Sequence, residues 1–211
     1  EYLPSVFQLT GEKLKALGKD TLIFDIDNTL VPYWIKTPTD ELKAYFNSLR
    51  ESGIKIAVLS NSKEIRSKTF CEEMEIPYYY RAKKPATEGM KKLLEKIGSK
   101  AESSVIVGDQ IFTDVWCGNK CGVYSVLVKQ VSPKDELITA PKRPFEKIVL
   151  YFYLRRKRKE ENKMKIKSHY FHTVGSPRPF PRASVRFVPF DGYSLLDKFE
   201  WIMNESKTNF E

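Results

Sequence analysis

Four stretches of this chain are apolar almost from end to end: LIFDI (22–26), IKIAVLSNS (54–62), SVIVGD (104–109) and VYSVLV (123–128). A strand with one face in water alternates apolar and polar residues; one that does not alternate has to be covered on both faces. Helical periodicity fills the gaps. TDELKAYFNSLRESG places Leu42, Tyr45, Phe46 and Leu49 on one face, with Thr39 to cap its start and Gly53 to end it. KEIRSKTFCEEME also reads as a helix, as does PATEGMKKLLEKIG, which closes at Gly98, and IPYYYRA (76–82) reads as a short extended piece between them. Apolar strands alternating with helices predict an α/β fold with a central parallel sheet and helices on both faces. Such sheets bind ligands beyond the carboxyl ends of their strands, where the strand order switches.

The polar residues gather at those ends. Asp25 and Asp27 close the first strand, Ser60 the second and Asp109 the third, with Asp114 five residues further on. Asp25 and Asp27, at period 2, point to one side as long as the strand stays extended. Two carboxylates so close repel, and a cation is the natural remedy. Oxygen-only ligands suit a hard ion such as Mg²⁺. Taken singly, Asp109 or Asp114 could be a cap or turn residue. Ser60, followed by Asn61 in VLSNS, offers a hydroxyl and nearby backbone N–H groups at a strand-to-helix turn, a favourable place for an anion. It could equally be a helix cap. Lys84, set before a helix by Pro85, offers a cation; its neighbour Lys83 reads as solvated.

The segments DIDNT, LSNS, KKP and GDQIFTD follow the order of the four motifs of the haloacid dehalogenase (HAD) superfamily. The chain over about residues 2–150, from YLPSVF through IFDIDNTLV, LSNS…R and AKKP to VGDQIFTDV, resembles the YqeG-type branch of its type IIIA phosphatases. The resemblance implies a Rossmannoid three-layer α/β sandwich and a Mg²⁺-dependent phosphomonoesterase. It assigns Asp25 as the nucleophile that becomes an aspartyl-phosphate, and Asp27 as general acid and base. It assigns Ser60, Asn61 and Lys84 to the phosphate. The Mg²⁺ site falls to Asp25, the main-chain carbonyl of Asp27, and Asp109. Thr29 fits the phosphatase branch, and Asp114 is a direct or supporting acid.

Only 33 residues separate Asp27 from Ser60 and 24 separate Ser60 from Lys84, which leaves no room for a large cap domain. An open site suits a phosphate presented on a large body. The YqeG-like branch is similar to enzymes acting on phosphatidylglycerophosphate, so a lipid head group is the expected substrate. A soluble metabolite, a phosphoprotein or a nucleic-acid phosphate is the alternative, and a non-catalytic regulatory protein a third. The aromatic pair Tyr33-Trp34 beside the site reads as a packed loop or as a membrane contact.

Charge divides the chain unevenly. Residues 151–211 carry 13 Lys/Arg against 7 Asp/Glu, a net +6, whereas residues 1–150 carry 23 against 20, a net +3. Eight of the basic groups lie in 155–167, RRKRKEENKMKIK, which reads as a solvated linker or as a patch for anionic lipid. The first 150 residues lack a basic stripe, so nucleic acid is not an expected partner. The expected organisation is a phosphatase domain at 1–150, a basic helix or linker at 151–167, and an extension at 168–211 that includes an amphipathic SLLDKFEWIMNES. Cys71, Cys117 and Cys121 cannot all pair and read as reduced thiols. With no apolar run long enough to span a bilayer, the expected location is the cytoplasm, peripheral at the inner face of a membrane, or the matrix side of an organelle.

Overall fold

The structure, a computed structural model, describes residues 1–133 and 143–173. The chain divides into two units, Glu1–Lys142 and Arg143–Glu211.

The first unit is built on a six-stranded sheet. Its strands are β1 (Tyr2–Leu3), β2 (Thr21–Phe24), β3 (Lys55–Leu59), β4 (Tyr78–Tyr79), β5 (Ser104–Gly108) and β6 (Tyr124–Val128), in the order β1-β6-β5-β2-β3-β4. Every pairing is parallel. β2 lies in the middle, with Phe24 opposite Val58 on one side and Val107 on the other. The chain adds β3 and β4 outward on one side, then returns to add β5 and β6 on the other. The strand order therefore switches at β2, and the crevice of such a sheet opens at its carboxyl end.

Lacking alternation, the strands split their side chains between two cores. Leu22, Phe24, Ile56, Val58, Val105 and Val107 face one layer; it holds Leu14 of α1 (Gly11–Ala16), Leu42, Phe46 and Leu49 of α2 (Asp40–Glu51) and Phe70 of α3 (Glu64–Cys71). Ile23, Ala57, Leu59 and Ile106 face the other, with Met90, Leu93 and Leu94 of α4 (Glu88–Ile97) and Cys117 of α5 (Trp116–Lys120). The result is the expected three-layer sandwich. Thr39 caps α2, accepting the Leu42 N–H at 3.3 Å, a contact worth about 1 kcal/mol. Gly98 ends α4 at φ 59°.

β1 is too short to carry a sequence signal, yet it forms an edge of the sheet against β6. Between Asp27 and Ser60 lie a loop, α2 and β3; between Ser60 and Lys84 lie α3, a single 3₁₀ turn and β4. A 24-to-33-residue spacing is filled by these elements alone, with no cap domain inserted at either place. The three cysteines are free thiols, and burial pushes the Cys71 thiol up to about 12.

Among the described residues of the second unit, a helix, α6, runs from Arg143 to Thr173. The expected boundary at residue 150 falls inside it, and the basic residues Arg155–Lys159 are exposed along it. No helix among the described residues is long and apolar enough to cross a membrane. The proposed extension 168–211 lies outside the described residues beyond Thr173.

Candidate active site

β2 delivers Asp25 to the crevice. The Asp25 N–H still donates to Val107 O at 2.9 Å, so its backbone is held by the sheet and its carboxylate sits one residue past the strand end. The chain then turns sharply. Asn28 adopts φ 61°, a left-handed conformation that Asn tolerates better than most residues. Its N–H donates to Val31 O at 2.8 Å, and Leu30 N–H donates to Ile26 O at 3.0 Å. The turn places Thr29 so that its hydroxyl donates to Asp109 Oδ1 at 3.1 Å.

Asp109 follows β5, and Asp114 stands on the wide turn after it. In that turn Asp114 N–H donates to Gln110 O at 3.0 Å and Val115 N–H reaches the same carbonyl at 3.3 Å, one residue more than an α-helix spans. Such π-type turns recur at functional sites. The Gln110 N–H donates to Asp114 Oδ2 at 3.1 Å, fixing the carboxylate. Gly108 makes room for it: a Cβ there would lie 2.2 Å from Asp114 Cγ.

Carboxylate oxygens of Asp25, Asp109 and Asp114 all lie within 4.8 Å of one another, and all three residues are buried. One buried ammonium meets them. Lys84 Nζ is 2.7 Å from Asp25 Oδ1 and 2.7 Å from Asp114 Oδ1, and it donates to Leu59 O at 2.8 Å. Burial raises the Asp25 carboxyl well above the ordinary carboxylate range; the Lys84 charge opposes this, and the Asp114 and Asp109 carboxylates add to it. Burial alone would lower Lys84, but Asp114 and Asp25 overcome it and hold the ammonium above its usual value. Three acids share this buried corner with the Lys84 ammonium. A cluster of carboxylates whose donors are all oxygens fits a hard divalent cation.

The expected phosphate residues lie along the same edge. Ser60 is buried, and its hydroxyl accepts the Ser62 N–H at 3.1 Å. Asn61 clasps the backbone of Lys84: its Oδ1 accepts the Lys84 N–H at 2.7 Å, and its Nδ2 donates to Lys84 O at 3.3 Å. Asn61 thereby sets the position from which the lysine reaches inward.

Asp27 stands apart from the acidic trio. Its Oδ2 accepts the Ser62 hydroxyl at 2.6 Å, and its Oδ1 accepts Arg66 Nε at 3.0 Å. A second guanidinium nitrogen lies 2.9 Å from the same oxygen as an ion pair. Arg66 also donates to Lys36 O at 3.0 Å, tying the loop after β2 to α3. Ser62 and Arg66 are the second Ser and the Arg of LSNS…R, which carries the family resemblance without giving either a role. Ser62 precedes α3 and Arg66 lies in its first turn, so the strand-to-helix turn brings a hydroxyl and a cation to one spot.

Known proteins resemble this chain. A family model described as HAD-hydrolase-like matches residues 81–150. The chain is 37% identical over 150 residues to "Probable phosphatase YqeG" of Bacillus subtilis, covering 71% of this chain and 87% of that protein. It is 34% identical over 163 residues to phosphatidylglycerophosphate phosphatase 1 of Arabidopsis thaliana, covering 69% of this chain and 44% of that longer protein. Among solved structures, the cobalt-bound deoxy-D-mannose-octulosonate 8-phosphate phosphatase of Haemophilus influenzae is similar with a TM-score of 0.45 and 19% identity, over 55% of this chain and 81% of that one.

Proposed function

From the membership of this chain in the HAD superfamily, where it belongs with the YqeG-type phosphatases and is itself a phosphatase, we infer a Mg²⁺-dependent phosphomonoester hydrolase working through an aspartyl-phosphate, with phosphatidylglycerophosphate as its substrate. The observation that carries the chemistry is the buried acidic trio around one lysine.

Asp25 is the nucleophile. Its carboxylate, held at the end of a rigid central strand, attacks phosphorus in line with the departing alcohol, forming the O–P bond of the aspartyl-phosphate as the ester O–P bond breaks. Asp27 donates a proton to the leaving oxygen, then takes one from the water that hydrolyses the intermediate. Lys84, already bonded to Asp25, keeps the nucleophile oriented and offsets charge on the transferring phosphoryl group. Ser60 and the neighbouring N–H groups hold its equatorial oxygens. The carboxylates of Asp25, Asp109 and Asp114 and the main-chain carbonyl of Asp27 would hold Mg²⁺, which supplies positive charge against the phosphoryl oxygens. Thr29 and Gln110 N–H fix two of those carboxylates.

The lipid assignment has three supports: likeness to proteins named as phosphatidylglycerophosphate phosphatases, short connections around the site with no cap between the motifs, and the exposed basic run 155–159. On this reading the enzyme works at a membrane surface, on a head group the bilayer itself presents. The deciding experiment compares substrates side by side. Phosphatidylglycerophosphate in mixed micelles should exceed glycerol 3-phosphate in kcat/KM by roughly a hundredfold, about 2.7 kcal/mol of transition-state binding. A phosphopeptide and a nucleic-acid terminal phosphate complete the panel. A flat profile, or a preference for either polymer, would overturn the lipid assignment.

A further inference from the structure

The loop between β2 and α2 carries large apolar side chains into water. Tyr33, Trp34 and Ile35 are 38%, 46% and 36% exposed. The loop is nevertheless ordered by its own bonds. Ile35 N–H donates to Pro32 O at 2.9 Å, which closes a turn with Tyr33 and Trp34 at its tip. The two rings stack edge to face, centroids 5.0 Å apart, and Arg66 grips the far side of the loop through Lys36 O. Such a preordered aromatic tip loses little freedom on binding.

Its surroundings are basic. Lys36 ends the tip, Lys63 follows the Ser62 that touches Asp27, and Arg81 and Lys83 alternate with the buried Ala82 and Lys84; all four cations are exposed. Arg81 N–H donates to Ser62 O at 3.0 Å, so these residues surround one crevice. Of the acids near these cations, Glu64 is engaged by the Tyr80 hydroxyl and Glu88 pairs with Lys92 at 2.7 Å. Trp and Tyr favour the head-group layer of a bilayer, and Lys and Arg near an anionic leaflet are each worth about 1 kcal/mol.

We propose that this rim is the surface by which the enzyme docks on an anionic phospholipid bilayer, with Tyr33, Trp34 and Ile35 seated among the head groups and Lys36, Lys63, Arg81 and Lys83 against their phosphates. The proposal deepens the lipid-phosphate reading and rests on it. Docking here brings the crevice mouth to the membrane plane. The loop is tied through Arg66 to Asp27, so the surface that is bound and the residue that moves protons belong to one hydrogen-bonded unit.

The test uses the full chain and inert vesicles, so that docking is read separately from catalysis. Flotation with phosphatidylglycerol-rich vesicles, against pure phosphatidylcholine, is run for the wild type, for W34A/I35A and for K36E/K83E. The wild type should bind the anionic vesicles; W34A/I35A should bind them at least tenfold more weakly, and K36E/K83E should lose mainly the salt-sensitive part. Turnover of a soluble aryl phosphate should stay within twofold in both variants, which shows that they fold. Bromine-labelled lipid should quench tryptophan emission in the wild type and much less in W34F. Equal vesicle binding by wild type and W34A/I35A, or no binding by the wild type, would overturn the proposal. So would loss of binding only when Arg155–Lys159 are neutralised, which would move the surface to α6. If the vesicles bind through the loop but phosphatidylglycerophosphate is not preferred over soluble esters, docking stands and the substrate assignment falls.

Discussion

Two cations meet the aspartates at the end of β2, and they do so in opposite surroundings. Lys84 lies inside, its side chain 2% exposed, against Asp25 at 9% and Asp114 at 1%. Arg66 lies at the rim, 14% exposed, against Asp27 at 19%. A buried pair holds its geometry because breaking it strands a charge in a medium that cannot solvate it. A pair near solvent can be exchanged, because water or an incoming anion replaces what is lost. On the proposed mechanism the inner pair suits a nucleophile that must keep its aim, and the outer pair suits an acid and base that must change partners. Two residues apart in sequence, Asp25 and Asp27 differ in burial and in partner.

The sharpest way to break this contrast is at its inner end. Asp25→Asn keeps the shape and removes the nucleophile; aryl phosphate turnover should fall by roughly a thousandfold or more, above about 4 kcal/mol, with an unchanged circular dichroism spectrum. Residual activity of more than a few per cent would show that another group attacks phosphorus. Lys84→Met tests the burial argument. Stripping the ammonium from two buried carboxylates should cost about 3–5 kcal/mol in metal-free urea unfolding. A loss below about 1 kcal/mol would mean that water already reaches the pair.

Metal binding sharpens the same point. Chelator-treated protein is the reference state. Mg²⁺ at a hundred times its dissociation constant should then stabilise the fold by about 2.7 kcal/mol. Asp109→Asn should lose most of that shift while unfolding with the same cooperativity. An equal shift in both proteins would place the ion elsewhere. The outer pair should respond least in stability. Arg66→Ala should cost less stability than Lys84→Met, about 1–3 kcal/mol, yet slow turnover about tenfold, roughly 1.4 kcal/mol, because Asp27 loses the partner that orients it. A large loss of stability with intact turnover would reverse the assignment of the two ends.

How much of this was readable beforehand follows from the same contrast. The strands announced themselves because a buried parallel sheet leaves them few polar residues, and the acids at their ends stood out against that background. Asp114 was harder to place: on sequence it is one more aspartate in a loop, and only the wide turn after Gln110 brings it among the trio. Ser62 and Arg66 stand in LSNS…R without a role, because a Ser and an Arg at a strand-to-helix turn are commonplace in a sequence; nothing local says that an aspartate thirty-odd positions away is their partner. β1 escaped because two residues carry no period. Its pairing with β6 is tertiary and leaves no local mark.

The contact between Gly108 and Asp114 has a consequence for how such chains diverge. A Cβ at 108 would lie 2.2 Å from Asp114 Cγ and 2.4 Å from Asp114 Cβ. The second of these atoms is present in every residue but glycine, so trimming the acid at 114 does not open the space. Position 108 is therefore closed to side chains for as long as the wide turn keeps its path. A relative that carries a side chain at 108 must have moved that turn, and the acid with it. An engineer can likewise displace the acid by a change at 108 that leaves every carboxylate in the sequence.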